Sequence, residues 1–219
     1  MTSVRQDLEI AGVKINRGTR VKIEIPIAKL FDYTTLSIPV EVLRGKEDGP
    51  ILFVSSAIHG DEINGIEAIK RLLRNKRINR KIKGTLLAVP IVNVLGFNTQ
   101  SRYLPDRRDL NRCFPGSPSG SLGAQMANVL MTEIVKKSTH GIDLHTGAIH
   151  RTNLPHIRAC LNDPETKLLA NSFGVPVTIN SEVLDGSLRQ AASDIGLPML
   201  LFEGGQALRY ERNVIDTAV

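Results

Sequence analysis

Residues 58–67 read IHGDEINGIE, and residues 143–147 read DLHTG. The chain has only five histidines. One stands three residues ahead of a glutamate, and another ends an apolar run far downstream. A single turn of chain can aim His59 and Glu62 at one point, and His145 would add a second imidazole. Two neutral imidazoles and a carboxylate make a good set of zinc ligands. Three protein ligands leave the fourth tetrahedral position to water, as in hydrolytic rather than structural zinc sites. His-x-x-Glu alone occurs by chance, and His140 and His156 are read as ordinary hydrogen-bonding residues. His150 is close enough to His145 in sequence to line the same pocket, but it carries no assigned role.

Other reactive groups lie between and after these ligands. SRYLPDRRDLNRCFPG (residues 101–116) holds four arginines, of which Arg107 and Arg108 are read as solvated and Asp109 as a brace for the loop. A planar guanidinium can take a carboxylate through two parallel hydrogen bonds, and an asparagine adds a directional donor. Asp143, two residues before His145, either orients an imidazole from behind or closes a turn at a strand end. LLFEGGQ ends an apolar run in Glu203, and a buried carboxylate is costly unless it is paired or used.

The elements that must position these groups are visible in the hydropathy pattern. VKIEIPIAKL and TLSIPVEVLRG alternate as half-buried strands do. ILFVSSA, GTLLAVPIVN, GIDLHTG and LPMLLFEGG read as buried strands. INGIEAIKRLLRN, LGAQMANVLMTEIVKK, PETKLLANSFG and SLRQAASDIG read as helices. Residues 94–121 have no period and are rich in Gly, Pro, Asn, Arg and Asp, which suits a long functional loop. Strands alternating with helices imply an α/β fold with a mixed, mainly parallel sheet, the N-terminal strands adding an antiparallel edge. Ligands in such sheets bind beyond the carboxyl ends of the strands, where His59, Asn93, His145 and Glu203 would all collect.

Composition narrows the class. The 219 residues are 42% hydrophobic and 23% charged, enough to bury a sizeable core as one domain. No run is apolar and long enough to span a membrane, and the N-terminus lacks a secretory h-region. Cys113 and Cys160 suit a reducing compartment without a disulfide framework, so a cytoplasmic location is expected. A net charge of +6 raises nucleic-acid binding, but the basic stretch KRLLRNKRINRKIKG contains no aromatics and reads as a solvated helix end. Neither a nucleic acid nor a membrane is expected as a partner, and homo-oligomerisation is left open.

HGDE, then NVLGFNTQSRYLPDRRDLNRCFPG, then DLHTG, in that order, resembles the succinylglutamate desuccinylase and aspartoacylase family, a branch of the zinc carboxypeptidase fold group. The matching segments run from about Ile51 to Gly205. The resemblance implies a zinc carboxypeptidase-like, three-layer α/β/α fold. It also implies one Zn²⁺ held by His59, Glu62 and His145, and a small anionic N-acyl amino acid as substrate. It gives Arg102 the task of polarising the scissile carbonyl and Asn111 with Arg112 that of gripping a substrate carboxylate. Glu203 becomes the general base, and Arg189 loosely matches a contact to a second carboxylate. Two alternatives stand beside amide hydrolysis: a metallocarboxypeptidase acting on peptides, and a non-catalytic module keeping the fold. Members usually carry a β-rich C-terminal domain, so a chain ending at NVIDTAV is expected to be a truncated catalytic domain over residues 1–219.

Overall fold

The computed structural model describes residues 7–219. A short hairpin, β1 (Leu8–Ile10) and β2 (Val13–Ile15), comes first, and its Leu8, Ile10 and Ile15 are buried. The alternating stretches then form β3 (Arg20–Lys29) and β4 (Thr35–Arg44), antiparallel to each other, with Ile23 opposite Val40 and Ile25 opposite Ile38. Such period-2 patterning puts every second side chain on one face, which is why these apolar residues meet.

The apolar run at residue 51 becomes β5 (Ile51–Ser56), followed by helices α1 (Asn64–Arg74) and α2 (Lys76–Lys81). Next come β6 (Thr85–Val89), a short α3 (Val94–Asn98), α4 (Leu122–Glu133) and β7 (His140–Gly147). The chain continues through β8 (Asn153–Ala159), α5 (Pro164–Phe173), β9 (Thr178–Asn180), α6 (Leu188–Asp194), β10 (Met199–Gln206) and α7 (Arg212–Ala218). β3 to β10 form one eight-stranded sheet in the order β3-β4-β6-β5-β7-β10-β8-β9. The four central strands β6, β5, β7 and β10 are mutually parallel. β3 and β4 add an antiparallel edge, and β8 returns antiparallel beside β10.

Helices cover both faces. One face packs Phe53, Leu87 and Met199 against Met126, Leu130, Leu188 and Ala192 of α4 and α6. The other packs Val54, Ile142 and Phe202 against Ile69 and Leu73 of α1, Ala170 of α5 and Val214 and Ile215 of α7. Burying each Leu, Ile or Phe contributes about 1.5–3 kcal/mol before entropy is counted. The result is the expected three-layer α/β/α arrangement with a mixed, mainly parallel sheet.

Four details depart from the sequence reading. β1, β2, β8 and β9 were not anticipated, β6 stops at Val89 because Pro90 has no N–H to continue the ladder, and the long loop contains α3 and a turn of 3-10 helix at Leu110–Arg112. Beyond Pro90 the chain still follows β5, with Val92 N–H donating to Ser56 O and Asn93 N–H to Ala57 O. Asn93 Oδ1 then caps α3 by accepting from Gly96 N–H at 2.8 Å.

Candidate active site

The first pair of reactive groups sits in the turn between β5 and α1. Ala57 takes a left-handed conformation (φ 51°) at the end of the strand, and the following turn is closed by Glu62 N–H donating to His59 O at 3.1 Å. Gly60 is required there. A Cβ on it would lie 2.0 Å from the carbonyl carbon of Gly96, so α3 can press against the turn only because the side chain is absent. Gly65, the second residue of α1, has the same character: a Cβ would come within 2.6 Å of Ser56 Cβ and 2.8 Å of Leu144 Cβ. α1 is thereby seated directly on β5 and β7.

β7 runs parallel to β5 and brings His145 to this turn. Glu62 Oε1 lies 2.8 Å from His59 Nδ1, and its Oε2 lies 2.9 Å from His145 Nδ1. All three residues are buried, and one ligand atom from each falls within 4.8 Å of the others. The outer nitrogens are also held: His145 Nε2 lies 2.7 Å from Asp143 Oδ2, and His59 Nε2 lies 3.2 Å from Asp109 Oδ1. Asp143 in turn accepts from Ser55 Oγ at 2.7 Å. Two imidazoles, each with its far nitrogen on a carboxylate and its near nitrogen on a shared glutamate, fit a divalent metal well. Outer carboxylates of this kind fix the ring orientation and raise ligand basicity.

The electrostatics of the cluster follow from burial and charge. Burial alone would raise the Glu62 carboxyl, but His145 and His59 outweigh it and hold it well below the usual range. Burial opposes protonation of both histidines, yet Glu62 with Asp109 raises His59, and Asp143 with Glu62 raises His145 well above an ordinary imidazole. A divalent cation there would take the place of those protons.

The loop after α3 supplies the remaining groups on this side. Arg102 donates to Glu62 Oε1 at 3.1 Å and to Asp109 Oδ2 at 3.2 Å. Asp109 also caps the 3-10 turn by accepting from Asn111 N–H at 2.8 Å. Burial works against its ionisation, and His59 and Arg102 more than compensate, lowering its carboxyl. Arg107 and Arg108 are exposed, as expected. Asn111 is buried, and its Oδ1 accepts from Leu188 N–H at 2.9 Å, tying the loop to the start of α6. Arg112 donates to Asn111 O at 2.6 Å.

On the opposite side Glu203 stands in register with His145 on the adjacent parallel strand, about 4.8 Å away by sheet spacing. Its Oε2 accepts from Asn153 Nδ2 at 2.9 Å. Burial raises its carboxyl above the ordinary range, an effect that the nearby His145 tempers. His59, His145, Arg102, Asn111, Arg112, Arg189 and Glu203 all line one cavity of about 200 Å³. The Arg189 guanidinium reaches Ser181 Oγ at 2.8 Å and the Glu182 carbonyl. Glu62 and Asp143 are not among the residues that line the cavity. His140 bonds Thr139 and Glu165, and His156 bonds the Leu154 carbonyl, so both are ordinary. His150 occupies an exposed turn.

Two contributors were not picked out from the sequence: Asn153 touches Glu203, and Arg158 on β8 lines the cavity; Asp109, read as a loop brace, does cap the 3-10 turn but also touches His59. The signal for Arg158 was the alternation in NLPHIRA, whose Ile157 and Ala159 are buried on the far face.

This architecture recurs in known proteins. N-alpha-acetyl-L-2,4-diaminobutyric acid deacetylase from Halomonas elongata is 32% identical over 154 residues, 68% of this chain and 44% of that protein. The solved succinylglutamate desuccinylase/aspartoacylase from Rhodobacter sphaeroides has a TM-score of 0.80 at 26% identity, covering 91% of this chain and 62% of its own. The product-bound ectoine utilization protein EutE (DoeB) from Ruegeria pomeroyi shares the fold, with a TM-score of 0.78 at 24% identity over 91% of this chain and 63% of its own. The chain therefore spans less than half the length of the curated relative and under two thirds of these solved structures. Residues 48–219 match the succinylglutamate desuccinylase/aspartoacylase catalytic domain, and the chain belongs to the succinylglutamate desuccinylase/aspartoacylase family.

Proposed function

We propose that this chain is the hydrolytic domain of a zinc-dependent deacylase that cleaves the amide bond of an N-acyl amino acid. The observation that carries the reading is the convergence of His59, Glu62 and His145 beside a small cavity walled by arginines and Glu203. A zinc ion on those three ligands would acidify a water molecule and polarise the amide carbonyl.

The residues of the chain supply the rest. Asn111 and Arg112 hold the substrate carboxylate, which fixes the amide near the ligands. Arg102 donates towards the carbonyl oxygen as negative charge develops on it. The Glu203 carboxylate accepts a proton from the attacking water as the C–O bond forms, and delivers it to nitrogen as the C–N bond breaks. Water and amide thus become a carboxylic acid and an amine. Asp143 and Asp109 keep the two imidazoles oriented throughout.

The size of the cavity, about 200 Å³, favours a single acylated amino acid over an extended peptide, since pockets for larger ligands run to roughly 300–1,000 Å³. The test is a hydrolysis screen of the zinc-loaded protein against N-acetyl, N-succinyl and N-formyl amino acids and short peptides. Release of free amine from N-acyl amino acids is expected. Cleavage confined to peptides would replace this reading with a carboxypeptidase, and no release from any member would leave only a binding module.

A further inference from the structure

The large sheet ends in a long free edge. β3 pairs only with β4, and among the described residues no backbone group bonds its outer side. Which groups face outward follows from the ladder. Arg44 N–H donates to Thr19 O at 2.9 Å, so Val21, Ile23 and Ile25 also turn their backbone groups towards β4. Arg20, Lys22, Glu24 and Pro26 therefore turn theirs away from it. Pro26 suits that side, because it has no N–H to leave unpaired. The side chains of these four stand on the exposed face, while Ile23 and Ile25 enter the core.

Such an edge is a template for another strand, and proteins commonly blunt it with charges that repel a newcomer. Here the charges are of both signs. Lys22 and Glu24 are exposed and, among the described residues, have no ion-pair partner, whereas Arg20 is engaged by Glu41 and Leu73 O. Laid antiparallel on a second copy about Ile23, the strand sets Lys22 opposite the partner's Glu24, and Glu24 opposite the partner's Lys22. Arg20 N–H then meets the C=O of the partner's Pro26, a position that needs only an acceptor. Moving the centre to residue 22 opposes two lysines, and moving it to residue 24 opposes two glutamates. Like charges directly opposite are destabilising, so the pattern selects one register.

The other face of the strand agrees. Val21 and Ile27 are only part-buried at the margin of the core, and the same register lays Val21 beside the partner's Ile25. The turn that ends the hairpin exposes Leu30, Phe31 and Tyr33, and antiparallel pairing carries this apolar tip towards the start of the partner's strand.

We propose that β3 is a self-association edge, through which two copies of this chain join into one continuous sheet with a two-fold axis at Ile23. The interface is isologous, each copy offering the same strand. β4, β6 and β5 separate it from β7, so the cavity beside His145 stays open in the pair, and the inference does not rest on the deacylase reading.

Sedimentation equilibrium of the purified chain over a range of concentrations tests it. The parent protein should reach twice the chain mass. Lys22→Glu and Glu24→Lys each place like charges opposite one another and should weaken association by about tenfold or more. The double exchange Lys22→Glu/Glu24→Lys should restore it, and an equimolar mixture of the two single variants should form mixed dimers. Circular dichroism checks that each variant is folded, and Lys22→Gln and Glu24→Gln serve where a reversal disturbs the strand. A parent protein that stays monomeric at every soluble concentration overturns the proposal. So does a dimer that both reversals leave intact, or one that the double exchange fails to restore.

Discussion

Asp109 Oδ1 lies 3.2 Å from His59 Nε2 while its Oδ2 accepts from Arg102 at the same distance. One carboxylate therefore joins a metal-ligand candidate to the arginine poised over it, and through the Asn111 N–H it also sets the 3-10 turn that carries Asn111 and Arg112. Removing its charge should loosen all three. Asp109→Asn is expected to weaken zinc binding by about 10- to 100-fold, the usual effect of losing a carboxylate behind a ligating imidazole. Competition with a chromophoric chelator measures it, and unaltered affinity would reduce Asp109 to a loop brace.

The ligand set makes a stoichiometric prediction. Purified protein should carry about one zinc per chain, lose it to a chelator and regain it on addition of zinc. His59→Ala and His145→Ala should each abolish tight binding by elemental analysis. Full retention of metal in either variant would place the ion elsewhere.

Glu203 should show itself in the pH profile. Burial raises its carboxyl, so the group stays protonated, and unable to accept a proton, to a higher pH than an exposed glutamate. Its basic fraction grows as pH rises, so kcat/KM should climb through a limb above the ordinary carboxylate range. Glu203→Gln should keep the zinc but lose about 10²–10⁴-fold in kcat, and Glu203→Asp should retain a displaced limb. A rate that is flat down to the ordinary carboxylate range would remove Glu203 from proton transfer.

Arg112→Ala tests the carboxylate grip. Loss of a hydrogen bond to a charged group costs about 1.5–3 kcal/mol, so KM should rise by roughly 10- to 150-fold for carboxylate-bearing substrates. The corresponding amide-capped substrates should respond far less. Equal loss on both would point to a collapsed loop instead.

Gly65 supplies a stability test at the base of the site. The Cβ of Gly65→Ala would press on Ser56 and Leu144, and overpacking of this kind costs about 1–3 kcal/mol. Because α1 begins just after Glu62, the displaced helix should lower the thermal midpoint and weaken zinc binding together. A midpoint equal to the parent protein's would show that the helix shifts freely.

The strands that carry the reacting groups were legible because burial on both faces makes them continuous apolar runs. β5, β7 and β10 announced themselves in ILFVSSA, GIDLHTG and LPMLLFEGG, and with them His59, His145 and Glu203. The strand β8 did not, since NLPHIRA contains a proline, a histidine and an arginine that weaken the pattern, and only its pairing with β10 makes it a strand. The contact between Asp109 and His59 depends on how the aperiodic loop folds over α3, and short-range pattern carries no information about that path. Asn153 was missed for the same reason as Arg158: both ride on the unrecognised strand.

β8 enters the sheet from the opposite direction to the strands bearing His145 and Glu203. His145 and Glu203 thus sit on one pair of parallel strands, and Arg158 on another that is merely laid alongside. A substitution at Arg158, the β8 residue that lines the cavity, alters that wall while β7 and β10 keep their register. Reshaping the cavity from this side would begin at position 158.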